Sequence, residues 1–229
     1  MAHARRLRLA LLCITLPLLT TLARSAPLPE ERGGAQILWD APTLHLLWND
    51  AYELYPTIAF DAMRREVENL FARNGLSVRV HRAKAGQTIT DYPEPRVNAI
   101  LAPSEAESWN LGPNAMAAAI GEPGKSHSIF VFYPVLLRTL GLREIRTPAQ
   151  RADLSRAMAR VLAHELVHVI APGRGHAVSG LMARQLTRHV LLRRKIELDI
   201  VSRTAARAAI EKLVDTVPVA DAARARNAN

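Results

Sequence analysis

The chain has 229 residues, enough for one domain with a substantial hydrophobic core. Its formal net charge is +9, from 30 Lys and Arg against 21 Asp and Glu. Such a charge can favour nucleic acid or anionic surfaces, but no nucleic-acid-binding motif accompanies it, so we interpret it as solvated, arginine-rich helix faces. The only cysteine, Cys13, lies in a segment predicted to be removed, which excludes disulfide bonds in the mature protein.

The first 25 residues have the features of a secretory signal peptide. Three arginines precede an apolar run over Leu9–Leu22, and small residues surround the predicted cleavage site after Ser25. An uncleaved membrane anchor is the weaker alternative, because the run is short and contains Pro17. Cleavage takes four arginines away and reduces the formal charge from +9 to +5. We therefore expect a periplasmic or extracellular protein with no transmembrane segment after cleavage.

Hydrophobic periodicity predicts a single α+β domain over residues 37–219, between a flexible mature N-terminus at 26–36 and a disordered tail at 220–229. Strands are predicted where apolar and β-branched residues cluster or alternate, at Thr43–Trp48, Leu76–Arg82, Val97–Leu101 and Ser128–Tyr133. Helices are predicted where apolar residues recur at helical spacing, at Thr57–Asn74, Asp153–Ile170, Arg184–Arg194 and Arg203–Asp215. A helical turn is expected at Ala115–Ile120.

The most informative stretch of the chain is Val161–Met182, which contains the motif H-E-L-V-H. The motif places His164 and His168 four residues apart, on one face of a helix and one turn from each other. That arrangement suits two imidazole nitrogens that converge on one zinc ion. Glu165 lies beside them, where it can hold a water molecule. The alternative is a surface cluster of histidine and glutamate without a metal.

The residues around the motif support a helix that ends abruptly. Proline and glycines at 172–175 stop the helix and turn the chain, and this turn can carry His176 back toward the same ion. An apolar stripe lies nearly opposite the two motif histidines, so one helix face can enter the core while the other faces a cleft. The stripe consists of Met158, Leu162, Leu166 and Ile170.

The stretch Ala163–Met182 resembles the metzincin clan of zinc peptidases. In that clan the active-site helix breaks, a third histidine completes the metal site, and a Met-turn lies beneath the metal. The Gly-Leu-Met turn also makes it similar to a group of small exported bacterial metzincin-like proteins. The chain departs from the clan pattern, because His176 follows His168 by eight residues rather than six and Ala171 stands at the glycine position.

The resemblance implies a metzincin-like domain, in which a small mixed sheet packs against a backing helix and the active-site helix and C-terminal helices follow. It also implies a zinc cofactor held by His164, His168 and His176, with Glu165 as the general base. Met182 would pack beneath the ligands without binding the metal.

Two further assignments remain open. Glu197 competes with His176 as the third ligand, since another clan of zinc peptidases uses a glutamate from a downstream helix; that choice would leave His176 unexplained. His189 and Tyr133 are candidates for stabilising an oxyanion, but no motif places them, so surface or core roles are preferred.

These features together predict an exported, monomeric zinc metalloendopeptidase that acts on peptide or protein substrates. The alternative is a non-catalytic zinc-binding or envelope-interaction protein on the same scaffold. Glu165 favours hydrolysis, because a non-catalytic zinc site gains nothing from a glutamate in that position.

Overall fold

The computed structural model describes residues 43–84, 86–92, 95–121 and 127–215, except for the side chains of 213–215. The described residues all belong to one compact unit. The predicted signal peptide, mature N-terminus and C-terminal tail therefore lie outside the described residues. Within the described part, no helix has the length and apolar character needed to cross a bilayer.

The fold is α+β, as predicted, and is built on a five-stranded mixed sheet. The strands are β1 Thr43–Asn49, β2 Ser77–Arg82, β3 Arg96–Ala102, β4 Ala117–Ile120 and β5 His127–Phe132. Their order in the sheet is β2-β1-β3-β5-β4. The first four strands of that order pair in parallel, and β4 pairs antiparallel with β5 at the edge.

Five α-helices accompany the sheet in the described residues. They are α1 Thr57–Ala72, α2 Tyr133–Thr139, α3 Pro148–Ile170, α4 Arg188–Leu192 and α5 Ile200–Asp215. Helix α1 buries Phe60, Met63 and Val67 at helical spacing and ends at Ala72. The turn that follows contains Gly75, whose φ of +71° is one that glycine adopts without strain. This helix connects the parallel strands β1 and β2 and packs against α3.

Helix α3 is the central helix of the domain. It begins with a capping box in which the Gln150 backbone N–H donates to Thr147 Oγ1 at 3.2 Å and the Thr147 N–H donates to Gln150 Oε1 at 3.0 Å. Pro148 occupies the first turn, where its missing N–H is not needed. The helix is buried on nearly all sides, including the face opposite the predicted apolar stripe. On that opposite face His164 is buried and His168 is half-buried, so the face is only partly accessible.

Several predicted boundaries and one predicted element differ from the structure. The expected helical turn at Ala115–Ile120 is wrong, because Ala117–Ile120 forms the edge strand β4, hydrogen-bonded to β5. The alanines favour helix locally, but pairing with a neighbouring strand decides the conformation. Helix α4 is shorter than the predicted Arg184–Arg194, and α3 starts at Pro148 rather than Asp153.

Candidate metal centre

The structure brings the three predicted histidines together. His164 and His168 lie one turn apart on α3, and His176 returns to them from the loop after the helix. One ring nitrogen of each residue lies within 4.8 Å of the corresponding atoms of the other two. His164 is buried, His168 is half-buried and His176 is exposed, so the cluster spans the distance from the core to solvent.

The spacing of the two helical imidazoles fits a zinc ion. His164 Nε2 and His168 Nε2 are 3.2 Å apart. Two nitrogens bound to a tetrahedral zinc at about 2.0–2.1 Å lie about 3.3–3.4 Å from each other. His176 is exposed, and its ring nitrogen lies within 4.8 Å of those of the other two histidines. The donor set of three imidazoles is one that zinc accepts with a fourth position left open.

Backbone carbonyls orient both helical imidazoles. His164 Nδ1 donates to the Leu181 carbonyl at 2.8 Å, and His168 Nδ1 donates to the Arg174 carbonyl at 3.1 Å. A carbonyl oxygen can only accept a hydrogen bond, so each Nδ1 carries the proton. Each Nε2 is then left with a free lone pair directed at its neighbour, which is the tautomer that a metal ligand requires.

The surroundings also keep these imidazoles neutral. Burial, reinforced by the neighbouring histidines, lowers the pKa of His164 to about 4. Burial and the nearby His176 lower the pKa of His168 in the same direction. Near neutral pH both rings are therefore uncharged and able to bind a metal without first losing a proton.

Glu165 lies on α3, where its carboxyl interacts with Ala119 of the edge strand β4. Burial raises the pKa of its carboxyl to about 7, although a hydrogen bond from the Ala119 backbone N–H opposes part of that shift. A carboxyl with a pKa near neutral is suited to accept and release protons under ordinary conditions. Sequence reasoning missed Ala119, and no sequence signal links it to Glu165, because their contact depends on how β4 packs against α3.

The turn after His176 contains the predicted Met-turn. The Ala177 N–H donates to the Met182 carbonyl at 2.7 Å, and Gly180 adopts a φ of +80° that favours glycine. The side chains of Leu181 and Met182 are fully buried. The hydrogen bond from His164 to the Leu181 carbonyl places this turn directly against the histidine cluster.

The competing third ligand, Glu197, lies elsewhere. Its side chain is 57% exposed and forms an ion pair with Lys195 at 2.8 Å, which also lowers the pKa of the Glu197 carboxyl. Among the described residues, the cluster that could hold a metal contains the three histidines and no carboxylate. His189 is exposed beside Arg193, and Tyr133 packs against the hydrophobic core, consistent with the preferred surface and core roles.

Comparisons with known proteins add only distant similarity. No family model and no curated protein matches the sequence. A crystal structure of archaemetzincin from Methanopyrus kandleri is similar with 14% identity and a TM-score of 0.41, over 75% of this chain and 96% of that one. A zinc-dependent peptidase from Methanocorpusculum labreanum is similar with 14% identity and a TM-score of 0.44, over 71% and 99%. Both TM-scores are low, so the proposals below rest on this chain's own residues.

Proposed function

We propose that this chain is an exported zinc-dependent metalloendopeptidase. The observation that carries the proposal is the group of three imidazoles beside a partly buried glutamate, with two Nε2 atoms 3.2 Å apart and both corresponding Nδ1 atoms bound to carbonyls. His164, His168 and His176 would hold the metal. Zinc at that position supplies Lewis-acid polarisation of a substrate carbonyl and makes water more acidic.

Glu165 is the proposed general base. It would take a proton from the attacking water and deliver it to the leaving amine. The Ala119 backbone lies close enough to interact with this carboxyl and lowers its pKa against the effect of burial. A non-catalytic metal site has no use for such a carboxylate, so Glu165 favours hydrolysis over simple zinc storage.

The edge strand β4 is the proposed docking site for substrate. It pairs with β5 on one side, and in the described part of the sheet no strand lies on its other side. Its side chains are small up to Ala119, and Ala119 and Ile120 are exposed. An extended peptide can add to such an edge through backbone hydrogen bonds, which supports an endopeptidase that binds the middle of a chain.

Export is proposed from the N-terminal sequence alone. The arginines before Leu9, the apolar run and the small residues near Ser25 have the order found in secretory signals. The predicted mature chain contains no cysteine, so it cannot form incorrect disulfides in an oxidising compartment.

Metal analysis together with a peptide-cleavage assay tests the proposal. We expect about one zinc per purified chain and cleavage within a diverse peptide library. His176→Ala should weaken zinc binding strongly, whereas Glu197→Ala should leave it unchanged. If no metal binds after reconstitution with zinc, the proposal is wrong. If zinc binds and the library stays intact, the non-catalytic scaffold is the better description.

A further inference from the structure

One short segment is hydrogen-bonded to both residues whose carbonyls orient the helical histidines. We propose that Glu197–Ser202, at the start of α5, positions the imidazoles of His164 and His168 through hydrogen bonds to the segments that carry these carbonyls. This inference rests on the proposed zinc site, since it assigns the segment a role toward those ligands. Glu197 then contributes through its backbone carbonyl and not, as the sequence left open, through its carboxylate.

The first connection reaches His164 through the Met-turn. The Leu181 N–H donates to the Glu197 carbonyl at 3.2 Å, while the Leu181 carbonyl accepts from His164 Nδ1 at 2.8 Å. The backbones approach closely here: a Cβ added at Gly180 would meet the Glu197 carbonyl oxygen at 3.1 Å. The peptide group before Leu181 is thus hydrogen-bonded to the segment, and the peptide group after Leu181 is hydrogen-bonded to the imidazole of His164.

The second connection reaches His168 through Arg174. The Arg174 carbonyl accepts from His168 Nδ1 at 3.1 Å. The guanidinium of the same residue donates from Nε to Ser202 Oγ at 3.1 Å and from Nη2 to Asp199 Oδ1 at 3.2 Å. Arg174 therefore accepts a hydrogen bond from His168 through its backbone carbonyl and binds the start of α5 through its side chain.

The anchor at α5 is itself well held. Asp199 accepts from the Ser202 backbone N–H at 3.0 Å and from Ser202 Oγ at 2.5 Å, in the manner of a helix cap. Ser202 is fully buried. Helix α5 also packs against α3 and buries Ala206 and Ile210. The segment is therefore fixed relative to the helix that carries His164 and His168.

The loop between His168 and His176 depends on this anchor. Pro172, Gly173 and Gly175 are exposed, whereas Arg174 is half-buried. Glycines restrict the backbone little, so the loop's sequence does not by itself fix the direction of the Arg174 carbonyl. The two hydrogen bonds of the guanidinium, one to Asp199 and one to Ser202, supply that restraint.

The test compares Arg174→Met with Arg138→Met in the full chain. Arg138 is a matched control, because it also binds a carboxylate and a carbonyl, Glu105 at 3.0 Å and Pro113 at 2.8 Å, within another part of the fold. Two quantities are measured: zinc affinity by competition with a chelator, and the tautomers of the histidine rings by ¹⁵N NMR of the metal-free protein at pH 8. Arg174→Lys, which keeps the charge but not the planar fork, serves as an intermediate variant.

Arg174→Met should weaken zinc binding about 10- to 100-fold, the usual loss when a group that orients a ligand is removed. It should also convert His168 from the Nδ1–H tautomer to a mixture of the two tautomers. The fraction of Nδ1–H tautomer in Arg174→Lys should lie between those of Arg174→Met and wild type. Arg138→Met should change neither quantity. Thermal unfolding of each metal-free variant confirms that it is folded, and Asp199→Asn, which retains the cap acceptor, provides a second route if Arg174→Met does not fold.

The outcomes separate this inference from the proposed function. Unchanged tautomers and zinc affinity in both Arg174→Met and Asp199→Asn would overturn the positioning role while leaving the zinc site intact. If the wild-type protein binds no zinc and Arg174→Met still changes the tautomer of His168, the positioning role is supported and the metallopeptidase is refuted. Equal losses in Arg174→Met and Arg138→Met would also overturn the inference, because the effect would then be general destabilisation.

Discussion

Replacement of Glu165 by glutamine should stabilise the metal-free protein at alkaline pH. Burial between α3 and β4 raises the pKa of the Glu165 carboxyl to about 7. Above that pH the native state holds a charged carboxylate where charge is disfavoured, whereas the unfolded chain holds it in water. Glutamine has nearly the same shape and can still accept the hydrogen bond from Ala119, but it carries no charge.

The magnitude follows from the pKa difference. The carboxyl changes from 4.5 in the unfolded chain to about 7 in the native state, so the native state binds this proton more tightly. The stability that comes from this tighter proton binding is therefore fully present below pH 4.5 and decreases as the pH rises toward about 7. Above about pH 7 it has been lost, and the stability no longer changes with pH on account of this group. At about 1.4 kcal/mol per pH unit the full loss is about 3 kcal/mol, and partial exposure of the carboxyl reduces it to about 1–3 kcal/mol.

Urea unfolding in the presence of a chelator measures this difference. Glu165→Gln should be about 1–3 kcal/mol more stable than wild type at pH 8 and equal to it near pH 4. The exposed Glu211 provides a control, since Glu211→Gln should change the free energy of unfolding by less than about 0.5 kcal/mol at either pH. Equal or lower stability of Glu165→Gln at pH 8 would refute the argument that burial destabilises this carboxylate.

Other predictions concern folding and processing. Arg160 is fully buried and donates to the carbonyls of Val190 at 3.2 Å and Leu191 at 2.6 Å. Arg160→Met should therefore destabilise the protein by about 2–3 kcal/mol in urea unfolding. Unchanged stability would contradict the role of these hydrogen bonds. Thr147→Ala removes the N-terminal cap of α3 and should cost about 1 kcal/mol in the same assay. N-terminal sequencing of protein recovered outside the cytoplasm should begin near Ala26, whereas an intact N-terminus on active cytosolic protein would contradict export.

The ligand residues could be predicted because their signal is local. An α-helix places residues four apart on one face, so His164 and His168 are neighbours in any helix that forms there. The proline and glycines before His176 end the helix within a few residues, which keeps the third imidazole close. No knowledge of the remaining fold is needed for either step.

The groups that orient these residues could not be predicted in the same way. Ala119, Leu181 and Arg174 contact the motif residues through backbone N–H or carbonyl groups, and a sequence does not reveal where such groups point. Their positions depend on tertiary contacts of β4, the Met-turn and α5 with α3. The anchoring of Arg174 by Asp199 joins residues far apart in the sequence.

The same distinction applies to the fold. The strands over residues 43–49 and 77–82 have apolar patterns that predict them directly. The parallel pairing of four strands is decided by how the connections cross the sheet, and the helix signal at Ala117–Ile120 is overridden by pairing with β5. The early start of α3 had a readable signal, since Thr147 and Gln150 have the spacing of a capping box.

Peptide hydrolysis by zinc-loaded wild type and Glu165→Gln, measured side by side near pH 7, tests the central claim most directly. The account predicts that both proteins hold zinc equally, because Glu165 is not a ligand. It predicts that the variant loses about 10²- to 10⁴-fold in rate, the usual loss when a general base is removed. Equal hydrolysis by the two proteins, or none by zinc-loaded wild type on a diverse peptide library, would contradict the account.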